Sequence, residues 1–126
     1  VVYVGRFEKE KNLEFLIRVC NKANVKLLLV GRGREEKKLN DLAMKLKANV
    51  VFKGPVNNKN IPEILVCGDV FALTSLYEGL PTVVIEALAV GIPIISTNVG
   101  DIKKLVVDGK TGFIVNKNDK MTIIQN

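Results

Sequence analysis

"VKLLLVGRGREEKKLNDLAMKLKANVVFKG", residues 25–54, decides the fold. It opens with the apolar run "VKLLLVG" (25–31), which reads as a buried strand closed by a glycine. Leu39, Leu42, Ala43 and Leu46 then recur at the three- and four-residue spacing of a helix with one apolar face. Glu35 and Glu36 fall in its first turn, where carboxylates complement the helix dipole. The run "NVVFKG" (49–54) is a second strand. Strand, helix and strand with no hairpin turn make a β-α-β unit, whose strands run parallel.

The same rhythm continues in both directions. "VVYVG" (1–5), "DVFALT" (69–74), "PIISTN" (93–98) and "FIV" (113–115) read as further strands. Leu13, Leu16, Ile17, Cys20 and Ala23 mark a helix, with Asn12 placed to cap its start and Asn24 its end. A short helix is predicted over 60–66 from near Pro62, another over "TVVIEALAV" (82–90) ended by Gly91, and a third at about 101–107. Asn118 is placed to cap one more. Continuous apolar strands separated by helices predict an α/β fold, a doubly wound six-stranded parallel sheet covered on both faces. Ligands of such sheets sit outside the carboxyl ends of the strands, at the point where strand order reverses. The loops after residues 5, 31, 53, 74 and 97 are therefore the places to look for chemistry.

Composition narrows the chemistry. The 126 residues suit one domain, with 48% hydrophobic and 25% charged residues. The net charge of +6 fits an anionic partner or a lysine-rich solvated surface. With 6% aromatics and no Trp, base-stacking platforms are not expected, and no nucleic-acid motif is present. Cys20 and Cys67 lack metal spacing and read as small buried residues in a reducing compartment. The chain holds no histidine, so it supplies no imidazole base, and no Asp-x-Asp pair to cradle a divalent cation on a diphosphate. No membrane span or leader is legible. "VVYVG" reads like the middle of a fold and "MTIIQN" like a helix cut short, which predicts a fragment of a longer protein.

Three loops hold candidate residues. In "GRFEKEKN", Gly5 permits a tight turn, and Arg6 and Lys11 place two cations at the mouth of the sheet. They form either an anion site or a solvated face with Arg6 paired to Glu8 or Glu10. In "VGRGREEKKL", the Gly31-x-Gly33 pair resembles a dinucleotide turn but has Glu36 where a third glycine would stand, so a tight strand-to-helix turn is the better reading. In "SLYEGLPTVVIEA" (75–87), Ser75-x-x-Glu78 has the form of a capping box. That would put Pro81 inside a helix, at about 3 kcal/mol, so the helix is placed from Pro81 instead. Gly79, Leu80, Pro81 and Thr82 then span its N-terminus, whose free amides suit an anion or a sugar oxygen. Glu86, one turn in, is expected to be buried and to lean back toward Glu78. Its partner is either Lys11 or Arg6 inside the fold, or a ligand rich in hydroxyls.

These residues resemble a known family. "SLYEGLPTVVIEA" looks like the Glu-x7-Glu signature of retaining glycosyltransferases of the two-domain GT-B architecture, especially glycosyltransferase family 4. "VGRFEKEKN", "LLLVGRGREEKKL", "VVFKGPV", "GDVFALTS" and "GIPIISTNVG" with "DGKTGFIV" follow in that family's order. The resemblance covers nearly the whole chain and implies a Rossmann-like, nucleotide-sugar-binding domain over residues 1–126. It corresponds to the C-terminal half of the architecture, without the N-terminal acceptor domain or the final helix. By that resemblance Arg6 and Lys11 contact the donor diphosphate, Glu78 the transferred sugar, and Glu86 the ribose hydroxyls. Gly5, Gly31 and Gly33 line the nucleotide cleft, Phe52, Lys53 and Gly54 border the base, and the amides of Gly79 to Thr82 hold sugar and phosphate oxygens. The co-substrate is a nucleotide-diphosphate sugar, UDP- or GDP-linked, with no cofactor and no metal expected. The acceptor is a glycan or lipid-linked, reached through the other domain. The location implied is cytoplasmic, with peripheral membrane association of the full-length protein, and the isolated fragment is expected to be inactive. Lys104 departs from the family pattern where a glutamate is usual. The competing readings are a nucleotide-sugar 2-epimerase of the same architecture and a non-catalytic nucleotide- or sugar-binding module.

Overall fold

The computed structural model describes residues 1–79 and 81–115. The strands are β1 (Val2–Val4), β2 (Leu27–Val30), β3 (Val50–Lys53), β4 (Phe71–Leu73), β5 (Ile94–Thr97) and β6 (Gly112–Val115). The helices are α1 (Leu13–Ala23), α2 (Glu36–Leu46), α3 (Ile61–Val66), α4 (Thr82–Val90) and α5 (Ile102–Leu105). The strands form one six-stranded sheet in the order β3-β2-β1-β4-β5-β6, and every pairing is parallel. From β1 the chain steps outward to β3, then returns to the other side of β1 and steps outward to β6. Right-handed crossovers then set the helices between β1 and β3 on one face and α4 and α5 on the other. The doubly wound sheet expected from the alternating pattern is the observed fold, and its reversal point lies between β1 and β4.

The central strands are buried on both sides, which is why they read as unbroken apolar runs. Val2, Leu27, Leu29, Phe71 and Ile94 are at 0% exposure, and α1 contributes Leu16 and Ile17. Edge strand β3 differs, with Val51 at 40% exposure, because among the described residues it has a neighbouring strand on one flank only.

Several local expectations need correcting. Asn12 precedes α1 but makes no side-chain cap bond; it turns the backbone in the left-handed region at φ 52°. Asparagine tolerates that region better than most residues. Asn24 and Gly91 close α1 and α4 in the same region, at φ 57° and 83°. Helix α4 starts at Thr82, and Pro81 is the extended residue before it rather than its first helical residue. Helix α5 is shorter than the predicted 101–107, ending at Leu105. Cys20 is buried as expected but Cys67 is exposed, because it follows the last turn of α3, one residue past Val66. Leu80 and Asn118 lie outside the described residues.

Candidate active site

The loops that leave β1, β2, β4 and β5 converge at the carboxyl edge of the sheet. The first two are packed backbone on backbone. Phe7 donates its amide to the Arg32 carbonyl at 2.9 Å, and Glu35 donates to the Phe7 carbonyl at 2.9 Å. A Cβ on Gly31, whose φ is +137°, would overlap the Gly5 carbonyl oxygen. A Cβ on Gly33 would sit 2.5 Å from the Glu8 carboxylate and closer still to the Phe7 carbonyl. Both glycines are therefore demanded by close loop packing. Glu8 accepts from the Arg34 amide at 3.0 Å and pairs with the Arg34 side chain at 3.7 Å, so it is not the partner of Arg6.

These loops wall a cleft of about 800 Å³, lined by Gly5, Arg6, Gly31, Arg32 and Gly33 with Val56 and Asn58 across it. Arg6 is exposed and has no ion pair among the described residues. The lining from the loop after β3 is Pro55 and Val56, whereas Phe52 packs edge-on against Phe7 with centroids 6.3 Å apart. Phe52, Lys53 and Gly54 thus stand beside the cleft rather than in its wall. A more apolar hollow of about 700 Å³ runs along α1 and the sheet, past Leu16, Cys20, Ala72 and Ile95. Of Arg6, Lys11 and Glu78, only Arg6 lines the first cleft and none lines this hollow, so Arg6 and the glycine loops favour the first cleft, with Lys11 and Glu78 outside its wall.

Lys11 and Glu78 meet at the reversal point itself. The Lys11 ammonium donates to Glu78 Oε2 at 2.5 Å, with the two side chains only 20% and 12% exposed. Ser75 Oγ donates to the same oxygen at 2.7 Å. The two loops are laced together below: Thr74 Oγ1 donates to the Lys11 and Asn12 carbonyls at 3.1 and 3.2 Å, and the Leu76 amide to the Glu10 carbonyl at 2.8 Å. The loop after β5 braces them from the other side. Thr97 Oγ1 donates to the Ser75 carbonyl at 2.7 Å, and the Asp101 amide to the Gly79 carbonyl at 3.3 Å. Gly100, at φ +50°, has no room for a side chain: a Cβ would fall 2.5 Å from the Glu78 carbonyl oxygen and closer to that of Gly79.

Tyr3 supports this edge from below. It is 1% exposed, and its hydroxyl donates to the Arg6 carbonyl at 2.9 Å. Burial raises its phenol well above the ordinary value of 10.0, and the negative charges of Glu78 and Glu10 push it the same way.

Glu86 is not buried. Helix α4 turns Val84 and Ala87 into the core and leaves Thr82, Ile85 and Ala89 exposed, and Glu86 sits half-buried between those two sides. The apolar residues around it in sequence include an outward Ile85 at 43% exposure, so apolar neighbours did not mean a buried position. Neither Lys11 nor Arg6 pairs with it, and it forms no ion pair among the described residues. The structure thus joins Lys11 to Glu78 and groups Arg6 with the glycine loops, while the Glu86 side chain, on α4, has no ion pair or hydrogen bond among the described residues. Tyr3, Ser75, Thr97 and Gly100 were not among the expected site residues. Of these only Ser75 carried a signal, the Ser-x-x-Glu spacing, whose side-chain contact forms in a loop instead of a capping box.

Lys104 makes an exposed 3.6 Å pair with Asp101 three residues earlier, a contact within its own turn. Among the described residues there is no cluster of metal-ligating side chains, and no helix is long and apolar enough to cross a membrane.

Comparison with known proteins gives a consistent result. The family model described as glycosyl transferases group 1 matches residues 1–125. The capsular polysaccharide biosynthesis glycosyltransferase CapM of Staphylococcus aureus is 36% identical over 138 residues, covering 98% of this chain and 34% of that protein. Among solved structures, Anabaena Alr3699/HepE in complex with UDP-glucose superposes with a TM-score of 0.89 at 25% identity, covering 98% of this chain and 36% of that one. The catalytic domain of the cholesterol-alpha-glucosyltransferase from Helicobacter pylori gives a TM-score of 0.85 at 28% identity, covering 98% of this chain and 80% of that one. The chain spans only about a third of the length of curated relatives such as CapM.

Proposed function

This chain belongs to the glycosyl transferases group 1 family, with the fold of a GT-B glycosyltransferase domain, and on that premise we propose that it is the donor-binding half of a retaining enzyme of the family-4 type. The proposed reaction moves a hexosyl group from a nucleotide-diphosphate sugar to a glycan or lipid-linked acceptor. The observation that carries the reading is the meeting of Lys11 and Glu78, from the loops after β1 and β4, at the reversal point of the sheet.

In this reading the nucleotide lies along the cleft bordered by Gly31, Gly33 and the segment after β3, with Arg6 and Lys11 facing the diphosphate. Arginine offers a planar fork and lysine a mobile point charge, and both stabilise negative charge as it develops on the departing phosphate. The amides ahead of α4 add partial positive charge at the same edge. This division of labour balances the leaving group by protein cations, without a metal. Glu78 accepts hydroxyls of the transferred sugar through the carboxylate oxygen that Lys11 and Ser75 leave open. Glu86, half-buried and free of an ion pair among the described residues, accepts the vicinal ribose hydroxyls. The bound UDP-glucose of the HepE structure supports a nucleotide-sugar ligand for this fold. The acceptor side is assigned to an N-terminal domain, and the full-length protein to the cytoplasm with peripheral membrane contact.

The test is calorimetric titration of the full-length protein with UDP, GDP, ADP and their sugar conjugates, followed by acceptor-dependent turnover of whichever donor binds. One nucleotide series should bind, and Glu86→Ala should weaken it by about tenfold or more, the scale of losing a carboxylate's hydrogen bonds to a diol. Binding of no nucleotide, or full activity of Glu86→Ala, would refute the assignment. Isomerisation of the donor without an acceptor would replace it with the epimerase reading.

A further inference from the structure

We propose that Ser75 is the positioning residue of Glu78, the group that keeps this carboxylate aimed when a diphosphate draws Lys11 away. The inference rests on the donor-site reading above. Both donors to Glu78, Lys11 Nζ at 2.5 Å and Ser75 Oγ at 2.7 Å, converge on the single oxygen Oε2. Doubly held at one oxygen, the carboxylate presents Oε1 as its acceptor for a ligand.

The two donors are not equivalent. Lys11 carries a compact charge on a flexible stem and is 20% exposed, so it can turn toward a phosphate oxygen. That movement would strip its counter-charge from Glu78, which is only 12% exposed, and a mostly buried carboxylate without a donor is costly and free to rotate. Ser75 cannot leave in the same way. It is at 0% exposure, and its own carbonyl is held by the hydroxyl of Thr97, itself 1% exposed at the end of β5. One of its anchors is thus β5, and none of them involves the Lys11 side chain. The Leu76 amide of the same peptide donates to the Glu10 carbonyl, so both polar groups of the peptide that follows the hydroxyl are held. Phosphate capture by Lys11 and sugar recognition by Glu78 become separable because Ser75 holds the second while the first is satisfied.

The experiment measures binding to the full-length protein of UDP and UDP-glucose, with GDP and GDP-mannose as a parallel pair. Wild type, Ser75→Ala, Glu78→Ala and the double variant are compared, with circular dichroism melts as the folding check. Ser75→Ala should weaken the nucleotide-sugar about tenfold, the value of a hydrogen bond to a charged group, while the bare nucleotide changes by less than about twofold. Added to Glu78→Ala, it should cost nothing further. If Ser75→Ala does not fold, Ser75→Cys, of similar size with a weak donor, should fall between. Equal weakening of nucleotide and nucleotide-sugar would mean a general structural role and overturn the proposal, as would undiminished nucleotide-sugar binding. Should wild type bind neither these pairs nor ADP and its sugar conjugates, the donor-site reading falls and this proposal with it.

Discussion

Replacing Lys11 by methionine isolates the ion pair that joins the two halves of the sheet. The stem keeps its packing while the ammonium disappears, leaving Glu78 with Ser75 alone. Fully exposed pairs contribute about 0–1 kcal/mol, whereas removing one partner of a buried pair costs about 3–5 kcal/mol. With side chains 20% and 12% exposed, this pair lies nearer the buried limit. Retention of the Ser75 bond lowers the expected loss to about 2–3 kcal/mol for Lys11→Met. Glu78→Gln should cost less, about 1–2 kcal/mol, because the amide oxygen still accepts from both donors. The double variant should be better than the sum by about 1–2 kcal/mol, since the second change no longer breaks a pair. Urea unfolding of the full-length protein, followed by circular dichroism near neutral pH and repeated at high salt, reads all four corners of the cycle. High salt should leave the coupling largely intact because the pair is shielded from solvent ions. A coupling below about 0.5 kcal/mol, or one abolished by salt, would refute the buried-pair reasoning.

Three further outcomes follow from the geometry. Gly100→Ala places a methyl against the Glu78 and Gly79 carbonyls at φ +50°, so the Glu78 loop must move. Donor turnover should fall by about a hundredfold, the scale of a displacement of one ångström at a reacting centre, and unchanged turnover would show that this loop does not brace the site. Tyr3→Phe removes the bond to the Arg6 carbonyl and should lower stability by about 1 kcal/mol in the same unfolding assay; a neutral result would mean that water replaces it. Burial pushes the Cys20 thiol from its ordinary 9.0 up to about 11, so the native protein should show Cys67 reacting with a thiol reagent at mildly alkaline pH while Cys20 stays protected. Because the folded value is the raised one, the stabilisation from Cys20 is complete below 9.0 and is lost as pH climbs toward 11, and Cys20→Ala should flatten that decline.

The order of strands and helices was legible because buried parallel strands have no polar face to write. Their unbroken apolar runs, with Leu39, Leu42, Ala43 and Leu46 between them, leave a doubly wound sheet as the packing that covers both faces. The Glu78 loop was legible through Pro81, whose ring cannot sit inside a helix. Local rules reach that far because they act within a few residues along the chain.

Contacts across the sheet edge were not legible, since they join residues distant in sequence. Lys11 and Glu78 are 67 positions apart, and nothing along the chain marks them as partners. Glu86 was misjudged for the complementary reason: an apolar helix does not declare which of its sides faces the core, and only docking on the sheet selects Val84 and Ala87. Gly31 and Gly33 announced a turn, but the backbone they accommodate comes from another loop, and Gly100 meets the Glu78 loop with nothing in the sequence to mark it. The sequence by itself determined a parallel α/β sheet with cations and carboxylates in the loops at its carboxyl edge. Tertiary structure alone decided which of them meet, because hydrogen bonds and ion pairs depend on distances that the fold, not the spacing, sets.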